Sequence, residues 1–561
     1  MRSDLIFDMN SIKETFVDFE TPGPGWCHVG GGPAKLQFAG AVTGHDKRQL
    51  LDMLMAVEPN IKEIRLLINS FDGHFGIVYQ DDVKTIAVTD CISSFPIFYK
   101  ETNEAYSLAT ASKVFEGNRE IDTSQAKALM LSGYTVGNKT IYQNLSVLEH
   151  GQVYFQTADK PPVISRYFQF TPWVAPFDLS HDELKRQLVD VTLKVISRVI
   201  DQASNQIIAV PLSAGLDSRL IVSALRHLGA KNVLCYSYGP KGNFESKIAK
   251  LIADKLGYKW VFVETTPAIQ RKFWASGVPA DFIEQSNDCL AGPVFHDLFV
   301  TQTLLDRGLI TSDSVIVNGN SGDFITGNHI PMALAEPDEI CADTNAVRLV
   351  DVMLKKHYSM WKELSCAPNL DPVRTLLLEQ LKTVDAMGGT KSLSSLHEYL
   401  EMTNRQIKWV IKRQKIYDYY GVGWALPLWD RDFMRFWERV PLQFKTKQNL
   451  YIDVLREQNW GGVWKDIPGN SARHVSPAWL RYIIRPLFKA MCLPLGKVAW
   501  HRFEKRFLDY WMDELGLYGP YGYKSVLLEE YTPRNCLAFH IRDYAYKMGC
   551  QIAIFDPKNN A

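Results

Sequence analysis

The chain has 561 residues, more than one ordinary hydrophobic core accommodates, so two or three domains are expected. Its hydrophobic fraction of 46% and charged fraction of 22% are those of a soluble globular protein; Lys+Arg and Asp+Glu balance at 62 each, which argues against nucleic acid as a partner. The nine scattered cysteines show no C-x-x-C pair, the opening residues show no basic segment followed by an apolar run, and no run of about 18 apolar residues could span a bilayer. Cytoplasm is the expected compartment.

Residues 1–175 read as strands and turns, an α+β domain of layered antiparallel sheets with few helices. Ile64–Ile68, His74–Tyr79 and Thr85–Thr89 are short β-branched or aromatic runs separated by polar or glycine-containing turns. A second set follows at Thr140–Leu148, Gly151–Gln156 and Arg166–Phe170. Thr157–Pro162 and Thr171–Pro176 are proline-rich and polar, as a linker would be.

Residues 176–561 read as a second domain. From His181 the period turns helical, with Leu184, Leu188, Val191, Leu193, Val195 and Val199 read as one apolar face. Apolar strand runs at Ile207–Leu212, Val233–Tyr238 and Trp260–Glu264 then alternate with helical runs at Ser218–Leu228 and Glu245–Leu256. That alternation predicts βαβ units and an α/β parallel sheet with helices on both faces. Beyond Asp338 the chain reads as largely helical.

The sharpest feature is Pro211-Leu212-Ser213-Ala214-Gly215-Leu216-Asp217-Ser218, between an apolar strand and an amphipathic helix. Small residues permit a tight turn and close approach to a ligand, and the free amides at a helix start favour phosphate. Asp217 would repel that phosphate directly, which suggests an intervening Mg²⁺. The plain alternative is a strand–turn–helix in which the Asp caps its own helix.

These residues resemble the pyrophosphate loop of the N-type ATP pyrophosphatases, with Ala214 at the position of the first of two glycines. Ser237-Tyr238-Gly239 then falls where that family binds adenine through backbone. Glu245, Ala249, Ala253, Leu256 and Gly257 are similar to its next helix. Val315–Asp323 ends a strand in Asn318-Gly319-Asn320-Ser321-Gly322-Asp323, which resembles the second loop of the asparagine synthetase family. By that resemblance Asp217 and Asp323 are catalytic and bind Mg²⁺. The segments from Leu212 to Ser218, Ser237 to Gly239, and Gly319-Asn320 hold ATP. The C-terminal domain has the fold of an ATP pyrophosphatase, like the adenine nucleotide α-hydrolases, with a helical C-terminal part. Ala425–Asp430, Val440-Pro441, Lys447 and Leu455-Arg456 resemble further family segments of structural character.

Asp72–Phe75, Asp90–Tyr99, Thr140–Tyr142 and Leu148–Gly151 likewise resemble the shell of the family's class II glutamine amidotransferase domain, an Ntn-type fold, with His150 in place of a proline. The resemblance fails at the nucleophile. The family exposes an N-terminal cysteine, whereas this sequence opens Met1-Arg2-Ser3 and its next cysteine, Cys27, is internal. A degenerate glutaminase domain is expected, with nitrogen arriving as ammonia, from a separate glutaminase or as an acceptor amine. Asn320 stands where asparagine synthetases carry Glu, and their downstream catalytic Lys has no clear counterpart. Arg473 or His474 occupies that region, and Arg473 is the candidate replacement.

The resemblance implies ATP-dependent activation of a carboxylate as acyl-AMP, followed by amide formation. The carboxylate is a small molecule or a sugar, the latter as in relatives tied to surface polysaccharide. An ordinary asparagine synthetase, a β-lactam-synthetase-like intramolecular amide former, and a nucleotide-binding scaffold stay open, as does a homodimer. Between Leu480 and Arg506, basic and apolar residues interleave. This reads first as a helix with one packed and one solvated face, with weak peripheral contact to an anionic membrane as the alternative. Pro486 and Pro494 are expected to break it.

Overall fold

The computed structural model describes residues 13–30, 32–102, 105–115, 119–335, 343–385, 387–469, 479–512 and 519–557. The chain divides into two compact units, Met1–Arg119 with Asn144–Gln169, and Glu120–Gln143 with Phe170–Ala561.

The first unit is α+β. One sheet has the order β1 (Glu14–Val17), β7 (Ala105–Ala109), β6 (Phe98–Glu101), β8 (Ser146–Val147); only the β1–β7 pair is parallel. The other is antiparallel throughout, in the order β10 (Val163–Arg166), β9 (Gln152–Thr157), β5 (Lys84–Thr89), β4 (Gly73–Gln80), β3 (Lys35–Val42), β2 (Trp26–Val29). Two helices, α1 (Lys47–Ala56) and α2 (Ile61–Asn69), lie between β3 and β4. Asp46 and Gln49 close a capping box on α1, and Asn60 caps α2. Leu50, Leu54, Ile64 and Ile68 pack with Phe38, Ile77 and Ile86 in one buried cluster.

The strand expected at Ile64–Ile68 is therefore helix. Ile64 and Ile68 are buried while Arg65 and Leu66 point to solvent, a four-residue rather than a two-residue period. So short an apolar run fits both, and the Asn60 cap decides for helix. Of Thr140–Leu148 only Ser146–Val147 is a strand, and the strand expected at Arg166–Phe170 instead ends at Arg166. Thr157–Pro162 is the turn between the paired strands β9 and β10, so it links no domains.

Residues 120–143, expected in the first domain, belong to the second unit. They carry α3 (Thr123–Ser132), capped by Asp122 and buried on nearly every side. Its Ala128 and Leu131 join Leu349, Trp361, Leu377 and Phe539 in a large apolar cluster. A helix buried this far round needs neighbours on several sides, and the buried Gln125 and Ser132 find hydrogen bonds at the backbone of residues 128–136.

The second unit is α/β with many further helices. After α4 (His181–Ala203), capped by Ser180 and Glu183, comes a five-stranded parallel sheet ordered β13 (Lys259–Glu264), β12 (Val233–Gly239), β11 (Ile208–Pro211), β14 (Val315–Val317), β15 (Gly423–Ala425). Helices α5 (Leu216–His227) and α6 (Phe244–Leu256) connect β11 to β12 and β12 to β13. The strands run outward from β11 in one direction through β12 and β13, and in the other through β14 and β15. The crevice beyond the carboxyl ends of β11 and β14 is thus the point where the winding reverses, where open α/β sheets bind ligands.

Candidate functional site

The loop from β11 to α5 sits at that reversal. The Ser218 hydroxyl accepts from the Ser213 amide at 3.2 Å, and Ser213 Oγ accepts from the Gly215 amide at 3.1 Å, folding the turn on itself. Gly215 is the N-cap of α5 and supplies no capping side chain. Ala214 is buried, and its φ is not positive, so a Cβ is accepted where the resembled loop carries glycine. Behind the turn Arg219 is buried. Its guanidinium donates to the carbonyls of Ala214 (2.9 Å), Ile467 (3.1 Å) and Pro468 (2.8 Å), tying the loop to the segment that leads toward residue 470.

Asp217 does not cap its own helix. Its Oδ1 accepts from the Tyr451 hydroxyl at 3.0 Å, and its Oδ2 accepts from the amide of Asp323 at 3.1 Å. The loop after β14 comes this close because it has glycines at the contact. A Cβ on Gly319 would lie 2.8 Å from Asp217 Cβ, and one on Gly322 would lie 2.4 Å from Asp217 Oδ1. The remaining loop side chains anchor it: Asn318 donates to Gln414 and Tyr417, and Ser321 to Gln406. Asn320 is half-buried. The two expected carboxylates thus stand together at adjacent strand ends.

Their charges are set by different neighbours. Burial, then the negative Asp323, pushes Asp217 up to about 7. Burial pushes Asp323 the same way, but a hydrogen bond from His329 outweighs it and holds Asp323 below the usual range. His329 Nε2 is 2.9 Å from Asp323 Oδ2, and its Nδ1 is bonded to Glu401. Burial disfavours the imidazolium, yet these two carboxylates raise His329 to about 9.

Glu401 is fully buried and is the hub of a second layer. Lys356 donates to it at 3.0 Å, Gln406 at 3.1 Å and Arg405 at 3.3 Å, with His357 3.3 Å away. It opens a π-helical segment, Glu401–Val410, a geometry frequent at functional sites. Burial alone would raise Glu401, but the bonds from His329 and His357 carry it well below the usual carboxylate range. His357, His397 and Glu401 bring three potential metal-ligating atoms within 4.8 Å of one another. Lys356 and Arg405 already supply positive charge to that carboxylate, so a cation there would meet repulsion.

The expected adenine segment lies at the end of β12. Ser237 Oγ donates to the Leu212 carbonyl at 2.7 Å and accepts from Trp260 Nε1 at 3.0 Å, so this side chain fastens β11 to its neighbours. Tyr238 is bonded to Asp297, which also accepts from Tyr417 at 3.0 Å and Arg413 at 3.3 Å. Asp430 caps the helix Arg431–Glu438 and pairs with both oxygens to Arg198 at 2.7 and 2.8 Å, a structural assignment. Lys447 is exposed, whereas Lys445 is buried against Glu398. Arg473 and His474 lie outside the described residues.

Tyr451, His329, Glu401, Lys356 and Arg405 were not anticipated. Only His329, six residues after Asp323, stands near a motif; the others are single polar residues in helices, where sequence offers no sign that they turn inward.

In the first unit the polar groups of the segments expected to form the amidotransferase shell serve the backbone. Asp90 Oδ2 accepts from the Phe75 amide at 2.9 Å and Oδ1 from the amides of Ile92 (2.9 Å) and Ser94 (3.0 Å). Cys27, on β2, donates its thiol to the Phe38 carbonyl of β3 at 3.3 Å. Residues 1–3 lie outside the described residues.

Residues 201–459 match the asparagine synthase family. Comparison with curated proteins finds no match. Among solved structures, the allosteric regulatory enzyme of purine biosynthesis is similar at 10% identity and a TM-score of 0.18, covering 42% of this chain and 61% of that one. The glutamine phosphoribosylpyrophosphate amidotransferase of B. subtilis, complexed with ADP and GMP, is similar at 10% identity and a TM-score of 0.18, covering 61% of this chain and 63% of that one. The chain therefore spans under two thirds of the length of either.

Proposed function

We propose that this chain, an asparagine synthase domain over residues 201–459, uses ATP to activate a carboxylate and pass it to a nitrogen nucleophile. The observation that carries the reading is the meeting of Asp217 and Asp323 at the ends of adjacent parallel strands, beside a turn whose helix start carries no capping side chain. A carboxylate resists nitrogen because its leaving group would be oxide. In the proposed first step its oxygen attacks the α-phosphorus of ATP. The bond from that phosphorus to the bridging oxygen breaks, and pyrophosphate leaves with the electron pair. In the second step nitrogen attacks the acyl carbon, AMP leaves with its electron pair, and the proton of the nitrogen passes to solvent.

Within this scheme the Ser213 and Ser218 hydroxyls and the first amides of α5, left uncapped by Gly215, hold the pyrophosphate, while the amides of Ser213 and Gly215 shape the turn. Asp217 and Asp323 fit a divalent cation: both offer hard oxygen ligands, and each carboxylate adds negative charge beside the other. When bound, Mg²⁺ would neutralise charge on the departing pyrophosphate. His329 holds the Asp323 carboxylate ionised and oriented from the side of Glu401.

For the acceptor, a sugar carboxylate is favoured over aspartate because Asn320 replaces the Glu of the asparagine synthetases that the loop resembles. The nitrogen comes as free ammonia, from a separate glutaminase, or as an amine of the acceptor. The test is product analysis. Purified protein with ATP, Mg²⁺ and candidate uronic acids plus ammonium should release AMP and pyrophosphate in equal amounts. Stoichiometric ADP and phosphate would overturn the scheme.

A further inference from the structure

We propose that the segment from Trp479 to Phe507 docks the protein on the surface of an anionic lipid bilayer. It folds as a helical hairpin. A π-helical turn, Leu480–Ile484, runs into the helix Arg485–Cys492, and a turn at Leu493–Leu495 leads into the helix Lys497–Phe507. Pro494 lies in the connecting turn, where the first arm ends as expected, whereas Pro486 follows the π-helical turn within one continuous helical run and does not break it.

The two arms pack on each other through one apolar row. Leu480, Ile484, Phe488 and Cys492, four residues apart, meet Trp500 and Phe503. That contact accounts for the packed face expected of an amphipathic helix. A second apolar row on the same arm has no such cover. Ile483 is 64% exposed, Leu487 56% and Met491 63%, at four-residue spacing, with Tyr482 beside them at 71%, and the helix Arg485–Cys492 buries none of its residues. The row continues over the tip, where Leu495 is 76% and Val498 65% exposed. Such a contiguous apolar surface is unusual on a protein meant to face water.

Charge selects the occupant. Between Trp479 and Phe507 the sequence has seven Arg and Lys and one acid, Glu504, although the whole chain is balanced. Glu504 is itself paired with Arg485. Arg481, Arg485 and Lys489 form a row at four-residue spacing beside the exposed apolar one. Basic residues flanking a surface row of aromatic and aliphatic side chains match the headgroup and acyl boundary of an anionic leaflet. No helix among the described residues is long and apolar enough to cross a membrane, so the contact is with the surface. This inference rests on the hairpin alone and stands whether or not the proposed reaction does.

The test is co-sedimentation of the full chain with vesicles of phosphatidylcholine alone and of phosphatidylcholine mixed with phosphatidylglycerol. The protein should sediment with the anionic vesicles and be released by salt. Leu487→Glu and Leu495→Glu should each weaken binding about tenfold or more, by removing a buried leucine from the bound state. Lys489→Ala and Lys497→Ala should each weaken it about fivefold, on anionic vesicles only. These positions are exposed, so melting temperature and the ATP-dependent reaction should be unchanged. Protein left in the supernatant with anionic vesicles, or leucine variants that sediment like the native chain, would overturn the proposal. So would a hairpin that holds two copies together, seen as a mass halved by Leu495→Glu with no vesicle binding.

Discussion

Asp90 directly follows strand β5 in the first unit and Asp217 lies in the first turn of the helix beyond β11 in the second, and the difference between them separates a structural carboxylate from a candidate catalytic one. Asp90 is buried and spends both oxygens on three backbone amides within its own turn and the neighbouring strand. Such a carboxylate is satisfied and has nothing left to offer a ligand. Asp217 accepts from one phenol and one amide, and faces a second carboxylate. Proteins place like charges together chiefly where a cation or a proton is to be used. The first unit has this polar group turned to folding; the second holds two acids in mutual tension.

The strongest way to break this contrast is to remove one charge at each site. Asp217→Asn and Asp323→Asn should each lower ATP–pyrophosphate exchange by about 10²–10³-fold, the usual cost of one electrostatic stabiliser. The melting temperature should be kept or raised in Asp217→Asn, whose charge is disfavoured by burial, and lowered in Asp323→Asn, which takes one of its two acids from His329. Asp90→Asn should do the reverse, costing about 1–3 kcal/mol of stability for an amide left without its acceptor. Exchange per folded molecule should then be native. Loss of exchange by Asp90→Asn at an unchanged melting temperature would show that the two aspartates do not divide in this way.

The contrast was half legible in the sequence. The strand–turn–helix at Pro211–Ser218 and the loop ending at Asp323 were readable because small residues after an apolar strand narrow the backbone choices. The alternating runs from Ile207 to Glu264 announced the parallel sheet that carries both. What was not readable is whatever depends on distant chain returning. Tyr451 and Glu401 look like ordinary helix residues until the fold brings the first within 3.0 Å of Asp217 and the second against His329. Ile64–Ile68 failed for the opposite reason, since an apolar run of that length satisfies either period until its cap is weighed. The helix Thr123–Ser132 is placed with its neighbours by sequence order alone, while its Ala128 and Leu131 belong to the core around Trp361.

The contact between the two loops gives a finer test. Gly319→Ala and Gly322→Ala add one methyl where the nearest Asp217 atoms stand at 2.8 and 2.4 Å. Neither removes a charge, so any loss reports the spacing of the carboxylates. Overpacking of this kind typically costs about 1–3 kcal/mol, or about 10–100-fold in exchange, with Gly322→Ala the worse. Native exchange in Gly322→Ala would mean that the loops open in solution and that the closeness of the pair is not used.

Acid stability separates the second layer from the aspartates. Burial lowers His357 from 6.5 to about 4 and His397 from 6.5 to about 3. Their folded pKa values lie below the unfolded one, so the unfolded chain binds more protons in this range. The stability they contribute is present above 6.5 and is lost as pH falls through about 4 and then about 3. Glu401, held low by its histidine partners, acts in the same sense at still lower pH. Each histidine should contribute about 3–5 kcal/mol over its window, and His397→Gln should flatten the slope of melting temperature against pH. An unchanged slope in His397→Gln would place the acid-labile group elsewhere.

The smallest expected effect is on the side of the first unit. Cys27 is the cysteine nearest the start of the sequence, and a thiol is what a glutamine-hydrolysing site of the resembled type requires. In β2 that thiol donates to the Phe38 carbonyl across the β2–β3 ladder, and its amide nitrogen is part of the chain and bears no free amine. Cys27→Ala should therefore shift stability by less than about 1 kcal/mol, as a half-buried substitution outside any charged network does. It should leave amide formation with ammonium untouched. The same variant assayed with glutamine as the only nitrogen source decides the point. If the native chain forms glutamate at the rate of amide product and Cys27→Ala does not, the thiol is a nucleophile. The first unit would then be a working glutaminase whose catalytic group sits on a strand, and the contrast between the two units would be one of kind of chemistry, with both of them active.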